Sequence, residues 1–183
     1  MIRISLFLIL ALLPASVPAQ GPTPLQQQVI EPEQSNIEIF GAKTGTLIEK
    51  QYEDIDVLKN VKVQAAIFTD LIAKTKISGV SFRYGQLIKQ SGDWRAAYLD
   101  IDEIDAMIKS IEIIKDKMSS SKSGYSEVVF RSKGGIELRC ASIRGNWNTI
   151  IRLDRLNKNF SIGLDQDDLA RLSSLLLQAK QRV

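Results

Sequence analysis

One six-residue phrase occurs twice in this chain, and its recurrence constrains the fold more than any other feature. Leu99-Asp100-Ile101-Asp102-Glu103-Ile104 and Leu164-Asp165-Gln166-Asp167-Asp168-Leu169 lie 65 positions apart. Each phrase follows a run of strand-like segments and opens an apolar-periodic one. In each, the first aspartate can cap a helix while the acid three residues on reaches back as in a capping box, and the flanking apolar pair forms a hydrophobic staple. Ile104, Met107, Ile108, Ile111 and Met118 then keep a 3.6-residue period, as do Leu172, Leu176 and Ala179 after the second phrase.

The segments ahead of each phrase are short, rich in β-branched and aromatic residues and separated by turn-formers. They predict strands over 45–52, 61–69, 76–84 and 94–99, with Ser91-Gly92-Asp93 as a turn, and over 125–132, 136–143, 147–153 and 160–164. Ser119 to Gly124 reads as a plain linker. Lys133-Gly134-Gly135 marks a hairpin whose glycines supply positive φ, and Arg144-Gly145-Asn146 marks the next turn. The fold class is therefore α+β: two tandem four-stranded antiparallel meander-plus-helix (β4α) repeats, about 45–118 and 125–181. One helix cannot cover both faces of a four-stranded sheet, so the repeats are expected to pack together as a pseudo-dimer within one domain, 36–183. Residues 37–40 can add an edge strand.

The start of the chain carries an address. Arg3, the apolar run Ile4 to Leu13 and the small residues Val17 and Ala19 have the form of a secretory signal over 1–19, cut after Ala19. The run is too short to span a bilayer, which takes about 20 apolar residues. All five prolines lie at or before position 32, and with Gln26-Gln27-Gln28 they make 20–35 a flexible lead-in. The expected location is periplasmic or extracellular, without a membrane-spanning segment. A lone cysteine, Cys140, excludes an intrachain disulfide. A formal net charge of +3 permits an anionic partner without being a nucleic-acid signature.

No histidine is present, which removes histidine-based triads, histidine-containing zinc sites and the usual general base near neutral pH. Asp100, Asp102, Glu103 and Asp105, or Asp165, Asp167 and Asp168, can be read as a divalent-metal site or as paired catalytic carboxylates. Acids in a first turn also complement the helix dipole, and their matched placement in both repeats suits a shared folding signal. Cys140 alternates with Ile136 and Leu138 and reads as core. Trp94 and Trp147 each follow a turn; both suit a core position or a stacking platform for a base or sugar.

The candidate binding residues are basic. Between Lys122 and Gly163 stand eight lysines and arginines (Lys122, Arg131, Lys133, Arg139, Arg144, Arg152, Arg155, Lys158) against Glu127, Glu137 and Asp154. Alternation turns Arg139 and Arg152 away from their apolar neighbours, with Arg131 near the sheet edge. A solvated, charge-bearing face is the competing reading.

The segment Gly145-Asn146-Trp147-Asn148-Thr149-Ile150-Ile151-Arg152-Leu153-Asp154, continued through Leu169, resembles the end of the β4α unit of the Whirly and transcriptional-coactivator type of single-strand nucleic-acid binder. The resemblance implies helices packing the halves together and sheets facing outward. The Whirly family's Lys-Gly-Lys-Ala element does not map onto Lys133-Gly134-Gly135. From the residues, the expected function is an exported, non-catalytic binding or interaction protein with no cofactor, its partner a protein or an anionic polymer. The alternatives are a Whirly-like single-strand or polyanion binder and a carboxylate-based enzyme.

Overall fold

The computed structural model describes residues 34–84, 95–120, 124–154 and 160–183. A short helix α1 (Asn36–Gly41) leads into the first meander, β1 (Ile48–Leu58), β2 (Val61–Asp70), β3 (Thr75–Tyr84) and β4 (Arg95–Asp100). A 3-10 turn (Ile101–Glu103) and α2 (Ile104–Met118) follow. The second meander is β5 (Ser126–Arg131), β6 (Glu137–Ile143), β7 (Asn146–Arg152) and β8 (Ser161–Leu164), closed by α3 (Gln166–Gln181). Strand order is β1-β2-β3-β4 in one sheet and β5-β6-β7-β8 in the other, antiparallel throughout. Both halves thus have the same strand count, order and terminal helix, as the repeated phrase requires. The signal, the lead-in up to residue 33, the Ser91-Gly92-Asp93 turn, Trp94, residues 121–123 of the serine linker with Lys122 among them, Arg155 and Lys158 lie outside the described residues.

Residues 37–40 are not an edge strand. Ser35 caps α1 in a full capping box with Glu38, Glu38 N–H donating to Ser35 Oγ at 3.3 Å and Ser35 N–H to the Glu38 carboxylate at 2.9 Å. The alternation of Ile37, Glu38, Ile39 and Phe40 suggested period two, but paired caps outweigh so short a run. The helix lays Ile37 and Phe40 on the outer face of the first sheet, against Ala66 and Phe68, with Ile48, Tyr52, Ile77 and Tyr98 around them. The first sheet is therefore covered on both faces. Phe68 stands edge-on to Tyr52 and Tyr98, with ring centroids 5.8 and 5.9 Å away.

Both aspartates of the repeated phrase close a capping box with the acid three residues on, and Asp100 does further work besides. Asp165 caps α3 as expected, accepting from Asp168 N–H at 2.8 Å while Asp165 N–H donates to Asp168 at 3.0 Å. Asp100, 2 % exposed, turns its carboxylate to the start of α1, where Asn36 N–H donates at 2.8 Å and Ile37 N–H at 3.1 Å. Glu103 accepts weakly from Asp100 N–H, at 3.4 Å, and more closely from Lys133 N–H, at 2.9 Å.

The helices are exchanged between the halves. α3 lies against β1, β2 and β3 of the first sheet. It is tied there by Lys59–Asp168 at 2.7 Å, Arg171–Asp56 at 2.8 Å and an Arg182–Glu53 ion pair. α2 lies along β5 of the second sheet; Thr149 Oγ1 meets Met118 Sδ at 3.4 Å, and the Trp147 indole N–H donates to Ser120 O at 2.8 Å. The inner faces of both sheets and both helices share one core that includes Val63, Phe82, Leu99, Met107, Leu138, Ile151, Leu172 and Leu176. Met107 and Leu172, equivalent in the two repeats, are both fully buried.

The β5–β6 turn locks the second half onto the first. Only Gly135 needs a positive φ, 85°. Gly134 is required for close approach instead: a methyl there would collide with the Tyr98 carbonyl oxygen and stand 3.1 Å from Ser35 Cβ. Gly134→Ala is expected to lower stability by about 1–3 kcal/mol through overpacking. Urea unfolding followed by circular dichroism reads the change; an unshifted midpoint would mean the turn does not dock.

Candidate functional site

Alternation along β5, β6 and β7 turns Glu127, Val129 and Arg131, then Glu137 and Arg139, then Ile150 and Arg152 to the outer face of the second sheet. Their neighbours Val128, Phe130, Leu138, Cys140 and Ile151 belong to the core or pack on it. Register then fixes who meets whom. Arg131 faces Glu137, which faces Arg152, which faces Ser161, in one row across all four strands. In the next row Val129 faces Arg139, which faces Ile150.

The three arginines are indeed brought to one face, but each is already paired. Arg131 Nε donates to Glu137 at 3.1 Å, and Arg152 Nη1 reaches the other oxygen of the same carboxylate at 3.4 Å. Arg152 Nε also donates to Ser161 Oγ at 3.2 Å. Arg139 Nη2 donates to Glu127 at 2.8 Å and to Tyr125 Oη at 3.2 Å. The Tyr125 hydroxyl, with Arg139 beside it, holds the Glu127 carboxyl below its ordinary range. Glu137 is only 6 % exposed, so its two guanidinium partners satisfy a charge that could not sit there alone. Alternating signs, rather than a single positive field, line this face.

Between α2 and β5, an apolar groove of about 80 Å³ is lined by Ser110, Ile113 and Ile114 of α2 and by Val128, Val129 and Phe130. Ile113 is 47 % exposed.

The acidic first turn of the first repeat is occupied internally. Asp100, Asp102 and Glu103 bring one oxygen each within 4.8 Å of one another. The Lys133 ammonium stands 3.0 Å from Asp102 and 3.9 Å from Asp100, taking the place a cation would occupy. The Asp102 carboxylate in turn holds Lys133 above its ordinary pKa. In the second repeat Asp168 is shared between the α3 cap and Lys59. Cys140 is fully buried, and that burial pushes its thiol up, away from the thiolate a nucleophile needs. Trp147 packs against the core edge.

Sequence reasoning counted Glu127 and Glu137 but did not pair them with the arginines. The signal was present, since both share the parity of Arg131 and Arg139 along their strands. It also missed Lys133 as the counter-charge to the acidic turn, which depends on how the second half docks on the first. Among the described residues no helix is long and apolar enough to cross a membrane. Compared with known proteins, the chain matches no family model, no curated protein and no solved structure.

Proposed function

We propose that this chain is an exported, non-catalytic interaction protein that binds a protein partner through the outer face and free edge of its second sheet. One observation carries the reading: Arg131, Arg139 and Arg152 are interleaved with Glu127 and Glu137 in ion pairs of 2.8–3.4 Å. A surface presenting both signs in fixed positions complements a protein surface of mixed charge, whereas a polyanion would meet a carboxylate beside every guanidinium. The carboxylates of the acidic first turn, engaged with α1 and Lys133, leave the carboxylate-enzyme alternative with little free chemistry.

The rival is a Whirly-like binder of single-stranded nucleic acid or another polyanion, which draws on three outward guanidiniums on adjacent strands. Heparin chromatography separates the two. The purified chain, its leader processing read from intact mass, is expected to leave heparin at low salt, with the Arg139→Gln/Arg152→Gln double variant eluting at the same position. Strong retention that falls steeply with salt and weakens in the double variant would favour the polyanion reading, because release of condensed counterions gives that dependence.

A further inference from the structure

Among the described residues β5 ends its sheet, with no strand beyond it. Sheet edges of this kind are ordinarily blunted by charge, bulges or brevity. β1 has two of these defences: exposed Glu49, Lys50, Glu53, Asp54 and Asp56, and a register shift between Asp54 and Asp56. β8 has only four residues. β5 has neither bulge nor proline, and its centre is Val128-Val129-Phe130.

Resting on the reading of this sheet as a protein-binding surface, we propose that β5 pairs antiparallel with β5 of a second copy of this chain, joining two second sheets into one continuous sheet. The backbone phase permits it. Ser132 N–H donates to Ile136 O at 2.9 Å, so Ser126, Val128 and Phe130, at the same parity, direct their backbone groups to β6. Glu127, Val129 and Arg131 therefore offer N–H and C=O at the open edge.

Charge selects the register. Residues opposite each other in an antiparallel pair share a face, so a two-fold pairing centres on Val128 or on Val129. Centring on Val128 sets Glu127 against Val129. Centring on Val129 sets Glu127 against Arg131 twice, once on each side of the axis. The row Ser161–Arg152–Glu137–Arg131 then continues into Glu127 of the second copy without a break in alternation. On the inner face the same register sets Val128 against Phe130 and brings the partly exposed Ile113 groove of each copy beside the other's apolar side chains.

The test uses the purified full chain in sedimentation equilibrium from micromolar to submillimolar concentration, where the average mass is expected to climb from the monomer toward twice that value. Val129→Lys places like charges face to face at the axis and is expected to raise the concentration of half-association at least about tenfold. Should that variant fold poorly, Val129→Cys decides independently. Its Cα atoms would stand about 5.5 Å apart across the axis, within the 4.4–6.8 Å a disulfide spans, and the native Cys140 is buried. Covalent dimer on mild oxidation of Val129→Cys, and little with Val128→Cys, is the expected result. Preferential linkage through Val128→Cys would overturn the charge-set register. A wild-type chain that stays monomeric while Val129→Cys remains unlinked would overturn self-pairing altogether and leave the mixed-charge reading standing, since only the heparin experiment bears on that.

Discussion

Residues 34–120 expressed alone are expected not to fold cooperatively, although they contain a complete meander and its helix. The inner face of the first sheet, with Val63, Val80, Phe82 and Leu99, is closed by Leu169, Leu172 and Leu176 of α3, which the fragment lacks. Its own helix would be left with Met107, Ile111 and Ile114 facing water, because α2 packs on α3 and on the second sheet, both absent from the fragment. Removing several fully buried leucines at about 2–5 kcal/mol each exceeds the stability of an ordinary domain. Circular dichroism melts and amide dispersion in an NMR spectrum would show the loss, and mixing with residues 121–183 is expected to restore a cooperative transition. A fragment that melts cooperatively by itself would show that α3 is dispensable to the first sheet.

The second large effect is an inequality between equivalent positions. Asp100→Ala strips two backbone N–H donors of their charged acceptor, one of them at the fully buried Ile37, and is expected to cost about 3 kcal/mol. Asp165→Ala removes an exposed local cap, worth about 0.5–2 kcal/mol. Denaturant midpoints compare the pair. Loss of protection at the Asn36 and Ile37 amides on hydrogen exchange in the Asp100 variant alone would locate the damage at α1. Equal costs at the two positions would mean that Asp100 serves only its own helix.

That inequality marks how far the sequence could be read. The repeat, the strand positions and both helix starts were legible because each depends on local spacing: period two, period 3.6 and caps three residues apart. β1 ran to Leu58 rather than residue 52, since its outward-facing acids disguise a strand whose alternate residues still pair with β2. α1 is ambiguous in the sequence: Ser35 and Glu38 stand at capping-box spacing, while the apolar-polar alternation of Ile37, Glu38 and Ile39 has the period of a strand. A further clue lay in Val61–Asp70, where Ala65, Ala66 and Phe68 on both parities announce a strand buried on two faces. The candidate site was half legible. Parity alone puts Arg131, Arg139 and Arg152 on one face, but which carboxylate each meets follows from register, and register is a property of the assembled sheet. The exchange of helices had no local signal at all, because a stripe of leucines shows which side of a helix is apolar and not which sheet it will meet.

The exchanged position of α3 has a consequence for when this chain can fold. Synthesis delivers the first sheet well before its cover, Gln166–Gln181. Until those residues leave the ribosome the earlier-made half is expected to lack a stable form, and the contacts that finish it span over a hundred residues, as Lys59 with Asp168 and Arg182 with Glu53 do. Closing such long loops is slow. A chain wired in this way is expected to stay unfolded until α3 has been made, a delay that would suit the export we propose.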